Sequence, residues 1–572
     1  MPPPALRRRG SAGSFTNSSG CSKASILILC IFGAAVLLWL ANQYGSPLSP
    51  LRARRQLSGL SRWPRHLLRN YGRQSQLHTE SERFATLFHS ELAQHFDFTK
   101  GPAVAPGLID TLKSLEATGI TTVIFSSPWD WFQPEERTSR LAHLDALANA
   151  TCQSTMLKVA FILDLVRAPD WVFNKWPEAR AMDSHERSYK LLSWFHSEAN
   201  QLAVGTLKDV VTHLVNAHPG CITAVQPVYN NEYEARYTQE NDCYQDYSKP
   251  AISEYQRWLS ARVPRLEALN ERWGTNFSSW EGVAPPALEA GSFMGPDLTP
   301  RYWDFITFRE LYGAQVLNRA CAAVQASGAR CFHHVPEFFT VLDAVYGTTM
   351  LKHIAASPNT DFLIVSSNFQ TSYGAAMSPT KIRLGLAAVA VYGKPVYFEA
   401  ALEHSPSLES VEAAVHLALT AGVNGVGLSN WLGRVKPGPP LLAALQPQVP
   451  YCRTTEAVGV FVHLDSCAAF HGLQWKWDRK DPIDDVVQGL AEPLAASCGI
   501  SVSVFLELAT LQAALTSLDR VVFVEPLVLL GDAQLDLYTQ VKEAVRAMPH
   551  SFLHLPFNQT RGIRTVVMPD LR

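Results

Sequence analysis

From about Ser81 onward, short runs of apolar residues alternate with longer stretches in which apolar positions recur every three or four residues. The first pattern reads as buried strands and the second as helices with one apolar face. Eight strands are predicted in order. The first three lie near Phe84-Ala85-Thr86-Leu87-Phe88, Thr121-Thr122-Val123-Ile124-Phe125 and Val159-Ala160-Phe161-Ile162-Leu163. The fourth runs from Ala224 and closes at Glu232, the fifth is Cys331-Phe332-His333-His334-Val335, and the sixth is Phe362-Leu363-Ile364-Val365. The seventh runs from Lys394 into Glu399, and the eighth is Val423-Asn424-Gly425-Val426-Gly427-Leu428. Leu108, Ile109, Leu112 and Leu115 stripe the helix before the second strand, and Gly119 stops it.

Eight strand–helix units in one domain predict an α/β fold, a (β/α)8 TIM barrel spanning residues 81–435, with catalytic groups at the C-terminal strand ends. Pro437, Pro439 and Pro440, then Pro447 and Pro450, break the pattern. A smaller α/β domain is predicted over 451–572, with strands at Val458–Val462, Ile500–Val504 and Val521–Val524. It contains no Gly-rich phosphate loop, so a nucleotide site is disfavoured and a structural or subunit-contact role is expected.

Ahead of the barrel the pattern changes character. A Pro/Gly/Ser/Arg-rich tail (1–23) precedes an uncharged apolar stretch (24–41) and an Arg-rich stem (42–80). At about 1.5 Å per residue the apolar stretch reaches about 27 Å as a helix, enough for a thin secretory bilayer. An uncleaved transmembrane anchor is predicted, with a cleaved signal peptide and a secreted product as the alternative. Arg7-Arg8-Arg9 and Lys23 favour a cytosolic tail and a luminal remainder, a type II topology in the ER or Golgi. The sequons Asn149-Ala150-Thr151, Asn276-Phe277-Ser278 and Asn558-Gln559-Thr560 agree with a luminal glycoprotein.

Composition then narrows the function. The chain has 572 residues, 47% hydrophobic and 17% charged, enough for two cores. A formal net charge of -2 and a pI near 6.8 provide no field for polyanions, so nucleic acid is not an expected partner. Fourteen Trp and seventeen Tyr suit the apolar faces of sugars, although most such rings fill cores. None of the ten cysteines falls in a C-x-x-C pair, which disfavours structural zinc; no metal and no cofactor is predicted for the chain. Disulfides are permitted in an oxidising lumen, with a pairing that spacing does not reveal.

Two glutamates carry the candidate chemistry. Glu232 and Glu399 each close an apolar run, on the fourth and seventh predicted strands, which brings them to one rim. Two facing carboxylates are the equipment for breaking a glycosidic bond. Glu234, Glu337 and Glu403 are competing carboxylates. His333 and His334 end the fifth strand, and Asn430 and Trp431 end the eighth; each is either a sugar contact or core. Tyr373, in the sixth loop, is placed to tune a nucleophile.

Tyr255-Gln256-Arg257-Trp258-Leu259 and Leu266-Glu267-Ala268-Leu269-Asn270-Glu271-Arg272-Trp273-Gly274-Thr275 resemble the stretch that follows the acid/base strand in glycoside hydrolase family 42, the β-galactosidases. Trp129 to Glu135, Ala168 to Glu178 and Asn231-Glu232-Tyr233 resemble further family motifs in the same order. The resemblance implies Glu232 as general acid/base, Glu399 as nucleophile and Asn231 on the sugar 2-hydroxyl. It also implies a flavodoxin-like second domain and a homotrimer. The chain departs from the family at Ile124-Phe125-Ser126-Ser127-Pro128, which lacks the usual Arg and Glu, and around Phe88-His89-Ser90-Glu91. The resemblance implies a retaining β-glycosidase with galactosides as the first choice of substrate, and the departures leave glucosides, arabinosides or other sugars open. A carbohydrate-binding barrel with impaired turnover is the main alternative. A luminal glycosyltransferase is disfavoured because no D-x-D triplet occurs.

Overall fold

The computed structural model describes residues 82–92, 106–230, 233–237, 239–240, 243–287, 300–335, 350–367, 379–401, 408–429, 455–463, 500–525, 527–548, 553–556 and 566–568. All of them belong to one compact unit, Leu67–Arg572. The tail, the apolar stretch and the stem lie outside the described residues. Among the described residues no helix is long and apolar enough to cross a membrane.

Eight parallel strands close into a barrel: β1 (Glu82–Leu87), β2 (Thr122–Pro128), β3 (Lys158–Asp164), β4 (Ile222–Val228), β5 (Arg330–Val335), β6 (Phe362–Ser367), β7 (Val396–Ala401) and β8 (Gly425–Ser429). Each pairs with the next in sequence, and β8 returns to β1 through Glu82↔Gly425 to Thr86↔Ser429. The major helices of the outer layer and its loops are α1 (Pro106–Ala117), α2 (Ala142–Ser154), α3 (Ser197–Ala217), α4 (Lys249–Arg262), α5 (Leu266–Trp273), α6 (Pro300–Ala326), α7 (Pro379–Ala390) and α8 (Leu408–Thr420).

The strands are apolar on both faces because both are covered. Outward residues such as Val123, Phe125, Val225, Cys331 and Phe398 pack with the helices in one core, while Phe84, Ile124, Ala160, Ile162, Phe332, Phe362, Ile364 and Tyr397 form a second core inside the barrel. The ring centroids of Phe332 and Phe362 are 4.8 Å apart, those of Phe362 and Tyr397 4.7 Å, and those of Phe84 and Tyr397 6.1 Å. This aromatic floor is admitted by two glycines of β8. A Cβ on Gly425 would stand 2.5 Å from the Tyr397 ring, and one on Gly427 2.2 Å from the Phe84 ring.

The expected fourth strand is shorter than its apolar run. It ends at Val228, and its ladder to β5 holds only Ala224↔Arg330 and Val225↔Cys331. Pro227, without an N–H, offers no donor to extend it. The chain beyond Glu232 closes the seam instead: Glu234 bridges His334, and the Ala235 amide donates to the His334 carbonyl at 2.8 Å.

The stretch Leu266 to Thr275 is a structural brace. α5 stops at Gly274, whose φ of 63° is left-handed. Arg272 and the Trp273 indole both bond the Asp304 carboxylate of α6, Arg272 at 2.8 and 3.0 Å and Trp273 at 2.8 Å. Asn270 accepts from the Thr275 hydroxyl and the Phe277 amide, each at 2.9 Å, and fixes the exit.

After the barrel, four parallel strands form a second sheet: β9 (Glu456–Phe461), β10 (Ile500–Phe505), β11 (Arg520–Glu525) and β12 (Leu553–Pro556), in the order β10-β9-β11-β12. The sequence pattern anticipates the first three; β12 is a fourth. Phe461, Phe505, Phe523, Tyr538 and Val541 pack on this sheet. It meets the barrel through α7, where Arg383 donates to the Ile500 carbonyl at 3.4 Å, and through Tyr392, whose hydroxyl donates to Glu507 at 3.2 Å.

Two disulfides cross the outer layer. Cys152–Cys221 ties α2 to the approach to β4, and Cys321–Cys331 ties α6 to β5.

Candidate active site

Glu399 is the fourth residue of β7, and its register partners are Ser366 on β6 and Gly427 on β8. It shares the inward phase of Tyr397 and is only 3% exposed. Three donors converge on it. Thr86 Oγ1 of β1 donates to Oε2 at 2.5 Å, His334 Nε2 of β5 lies 3.2 Å from the same oxygen, and the Ser429 hydroxyl of β8 completes the set. Burial alone would push its pKa up. The His334 imidazole and the three hydrogen bonds outweigh it and hold the carboxyl below the usual range. Glu399 is thus a buried carboxylate kept ionised.

From Glu399 a chain of hydrogen bonds crosses the lumen. His334 Nδ1 meets Gln226 Oε1 at 2.5 Å, and Gln226 Nε2 donates to the Tyr233 carbonyl at 2.8 Å. Tyr233 follows Glu232 directly and sits at a left-handed φ of 64°. Its ring stacks on Phe88 at 5.0 Å and its hydroxyl bonds His89 Nδ1. Arg167 lies 2.5 Å from His89 Nε2 and 3.3 Å from Asp164, the last residue of β3. Burial first, and Arg167 second, push the His89 pKa down to about 4, so this ring is neutral. A guanidinium only donates; Nε2 therefore accepts, and Nδ1 carries the hydrogen toward Tyr233. Asp164 is fully buried, and burial raises it to about 7 against the opposing Arg167 and two backbone amides.

Of the residues expected from the sequence, Glu399 stands at the centre. Asn231, Glu232, Tyr373, Asn430 and Trp431, with Glu337 and Glu403, lie outside the described residues. Glu234 is paired with Arg236 at 2.5 Å. His333 is a correction. It is fully buried on the outer face of β5, its Nε2 3.2 Å from Cys321 Sγ, with Nδ1 lacking a hydrogen-bond partner. Strand alternation turns His334, not His333, into the lumen. Cys321, Cys331 and His333 offer three ligand atoms within 4.8 Å, but both sulfurs are committed to the disulfide and cannot serve as thiolates. Sequence reasoning missed Thr86, Gln226 and Ser429. The signal was available as lone polar residues in the inward phase of apolar strands.

An ionised carboxylate beneath the C-terminal rim of a closed parallel barrel, ringed by donors from three other strands, defines a (β/α)8 barrel built for carboxylate chemistry. The chain belongs to glycoside hydrolase family 42: the model of that family, described as Beta-galactosidase, matches residues 108–415, more than half of the chain. A β-galactosidase of Thermus sp is 29% identical over 225 residues, which cover 38% of this chain and 33% of that protein. The curated β-galactosidases that it matches are thus covered over only 20% to 33% of their length. Among solved structures, a β-galactosidase from the haloarchaeon Halorubrum lacusprofundi superposes with a TM-score of 0.59 at 14% identity, over 82% of this chain and 71% of that one. The catalytic domain of a Paenibacillus polymyxa β-amylase gives 0.54 at 14% identity, over 64% of this chain and 97% of that one. These two likenesses concern the fold.

Proposed function

We propose that the protein is a retaining glycoside hydrolase that removes terminal sugars from β-glycosides, β-galactosides first among them. The observation that carries this reading is Glu399, a buried carboxylate held ionised by Thr86, His334 and Ser429. A nucleophile needs that state. Glu399 attacks the anomeric carbon and forms a covalent glycosyl-enzyme, while Glu232 protonates the departing oxygen. Glu232 then removes a proton from water, which releases the sugar with its configuration retained. Asn231 takes the 2-hydroxyl, and Tyr373, Asn430 and Trp431 line the sugar.

The test is hydrolysis of a panel of aryl β-glycosides by the full chain in detergent. Glu399→Gln is expected to lower kcat by about a thousandfold or more, and a 2-fluoro glycoside should leave its adduct on Glu399. The first product seen by NMR should be the β-anomer. An adduct on Glu337 or Glu403 would move the nucleophile there.

One observation favours a second reading, a barrel that binds sugar with impaired turnover. The run Ile124 to Pro128 of β2 lacks the family's Arg and Glu, and the two serines it carries are occupied: Ser126 Oγ accepts from the His89 amide at 2.6 Å and Ser127 Oγ meets His143 at 2.9 Å. Galactose binding without hydrolysis on the panel would select this reading.

The proposal extends to location and assembly. The uncharged 24–41 stretch supports a type II anchor, and two disulfides suit an oxidising lumen. The strand order of the second sheet supports a flavodoxin-like domain with a role in oligomer contact.

A further inference from the structure

The hydrogen bonds around His334 leave one arrangement of its protons. A backbone carbonyl only accepts, so the Gln226 atom facing Tyr233 O is the amide nitrogen, and the atom facing His334 Nδ1 is the oxygen. That oxygen only accepts as well. Nδ1 therefore carries hydrogen whatever the charge of the ring. At the opposite nitrogen, Nε2 faces Glu399 Oε2, and when the carboxylate is ionised the proton between them belongs to Nε2. The main chain of the same residue is also engaged, through the Ala235 amide and the bridge to Glu234.

We propose that His334 is a positioning residue for both halves of the catalytic machinery. Its ring, oriented by Gln226 with Nδ1–H toward the amide oxygen and Nε2–H toward the carboxylate, holds Glu399 as the charged nucleophile, and its links to Tyr233 and Ala235 fix the segment that follows Glu232. The inference rests on the reading of Glu399 as nucleophile.

Among the described residues, the surroundings leave His334 as the titratable group in contact with Glu399. Thr86, Ser429, Ser366 and Gly427, from β1, β8, β6 and β8, are neutral. On β7 itself, Tyr397 donates to Glu82, which Arg330 approaches at 3.9 Å. Tyr233, His89, Arg167 and Asp164 follow one another along the chain of contacts that begins at Gln226.

Two substitutions divide the functions of the ring. His334→Gln keeps a donor at the Nε2 position and gives up the contact to Gln226, whereas His334→Asn keeps the contact to Gln226 and gives up the donor to Glu399. The acid limb of kcat/KM, and of inactivation by a 2-fluoro glycoside, is expected to rise by about one pH unit in His334→Asn and to stay near wild type in His334→Gln. Both should lose about tenfold or more in kcat. A residue that only fills space would lower both rates without moving either limb, and unmoved limbs in both variants overturn the proposal. Gln226→Met, which leaves the His334 and Glu399 side chains themselves intact and removes only the acceptor of Nδ1, serves where the His334 variants do not fold. It should also move the limb.

If wild type neither hydrolyses nor is labelled by any glycoside of the panel, the glycosidase reading fails by itself. The histidine 15N spectrum then decides the inference. A buried ring whose Nδ1 carries hydrogen and is hydrogen-bonded in wild type, and not in Gln226→Met, supports it; no such ring overturns it.

Discussion

Asp164 and Glu399 are both buried in the barrel lumen, and they are driven toward opposite charge states. Glu399 has a histidine and two hydroxyls directed at its oxygens, and its pKa falls. Asp164 has two amides on Oδ1 and Arg167 at 3.3 Å from Oδ2, yet burial dominates and its pKa rises to about 7. A folded pKa above the unfolded value of 3.8 means a contribution to stability that is complete below about pH 4 and lost as pH climbs through about 7. Asp164→Asn keeps the Oδ1 acceptor and cannot ionise. Melting curves across this window should show the variant gaining on wild type by a few degrees as pH rises, and a constant gap would refute the assignment. At this scale Glu399 was legible, because a glutamate that closes an apolar run has no solvent to explain it. The choice between His333 and His334 was not legible. β5 is buried on both faces, so no polar alternation marks which side faces inward.

β8 shows how an element is specified by what it omits. Its Gly-Val-Gly-Leu pattern alternates absent side chains inward with apolar ones outward, and the inward space is filled by Tyr397 and Phe84. Gly427→Ala should cost about 1–3 kcal/mol or more in denaturant unfolding, since a methyl at 2.2 Å from the Phe84 ring forces that ring to move. A variant as stable as wild type would show that the floor is loosely packed. Periodicity located the eight strands well because each apolar run is bounded by turn residues. It failed at the end of β4, where Tyr229 continues the apolar run and is fully buried although the ladder has ended. The recognition segment of α5 was legible for a different reason. Its Trp-Gly pair and Asn270 are required by a left-handed helix stop and an anchor on Asp304, so the motif records packing rather than catalysis.

The whole chain joins the barrel and the second sheet across α7, and covalent bonds reinforce the outer layer at two places. The sequons read as equivalent in sequence, and the structure separates them. Asn149 lies inside α2, with Thr151 fully buried and its hydroxyl donated to the Leu147 carbonyl at 2.8 Å. Asn276 and Ser278 are exposed in the loop after α5. Expression in a eukaryotic secretory pathway should therefore give a glycosidase-sensitive mass step that Asn276→Gln removes and Asn149→Gln leaves in place. No step at Asn276 would count against the luminal topology. Beneath Glu399 the barrel is stoppered by Phe84, Phe332, Phe362 and Tyr397, so traffic passes through the rim alone. Under the proposed glycosidase function this predicts an order of departure: the aglycone, nearest the doorway, is expected to leave first, and the sugar behind it to exit by the same route, so that free monosaccharide should compete with substrate for that entrance.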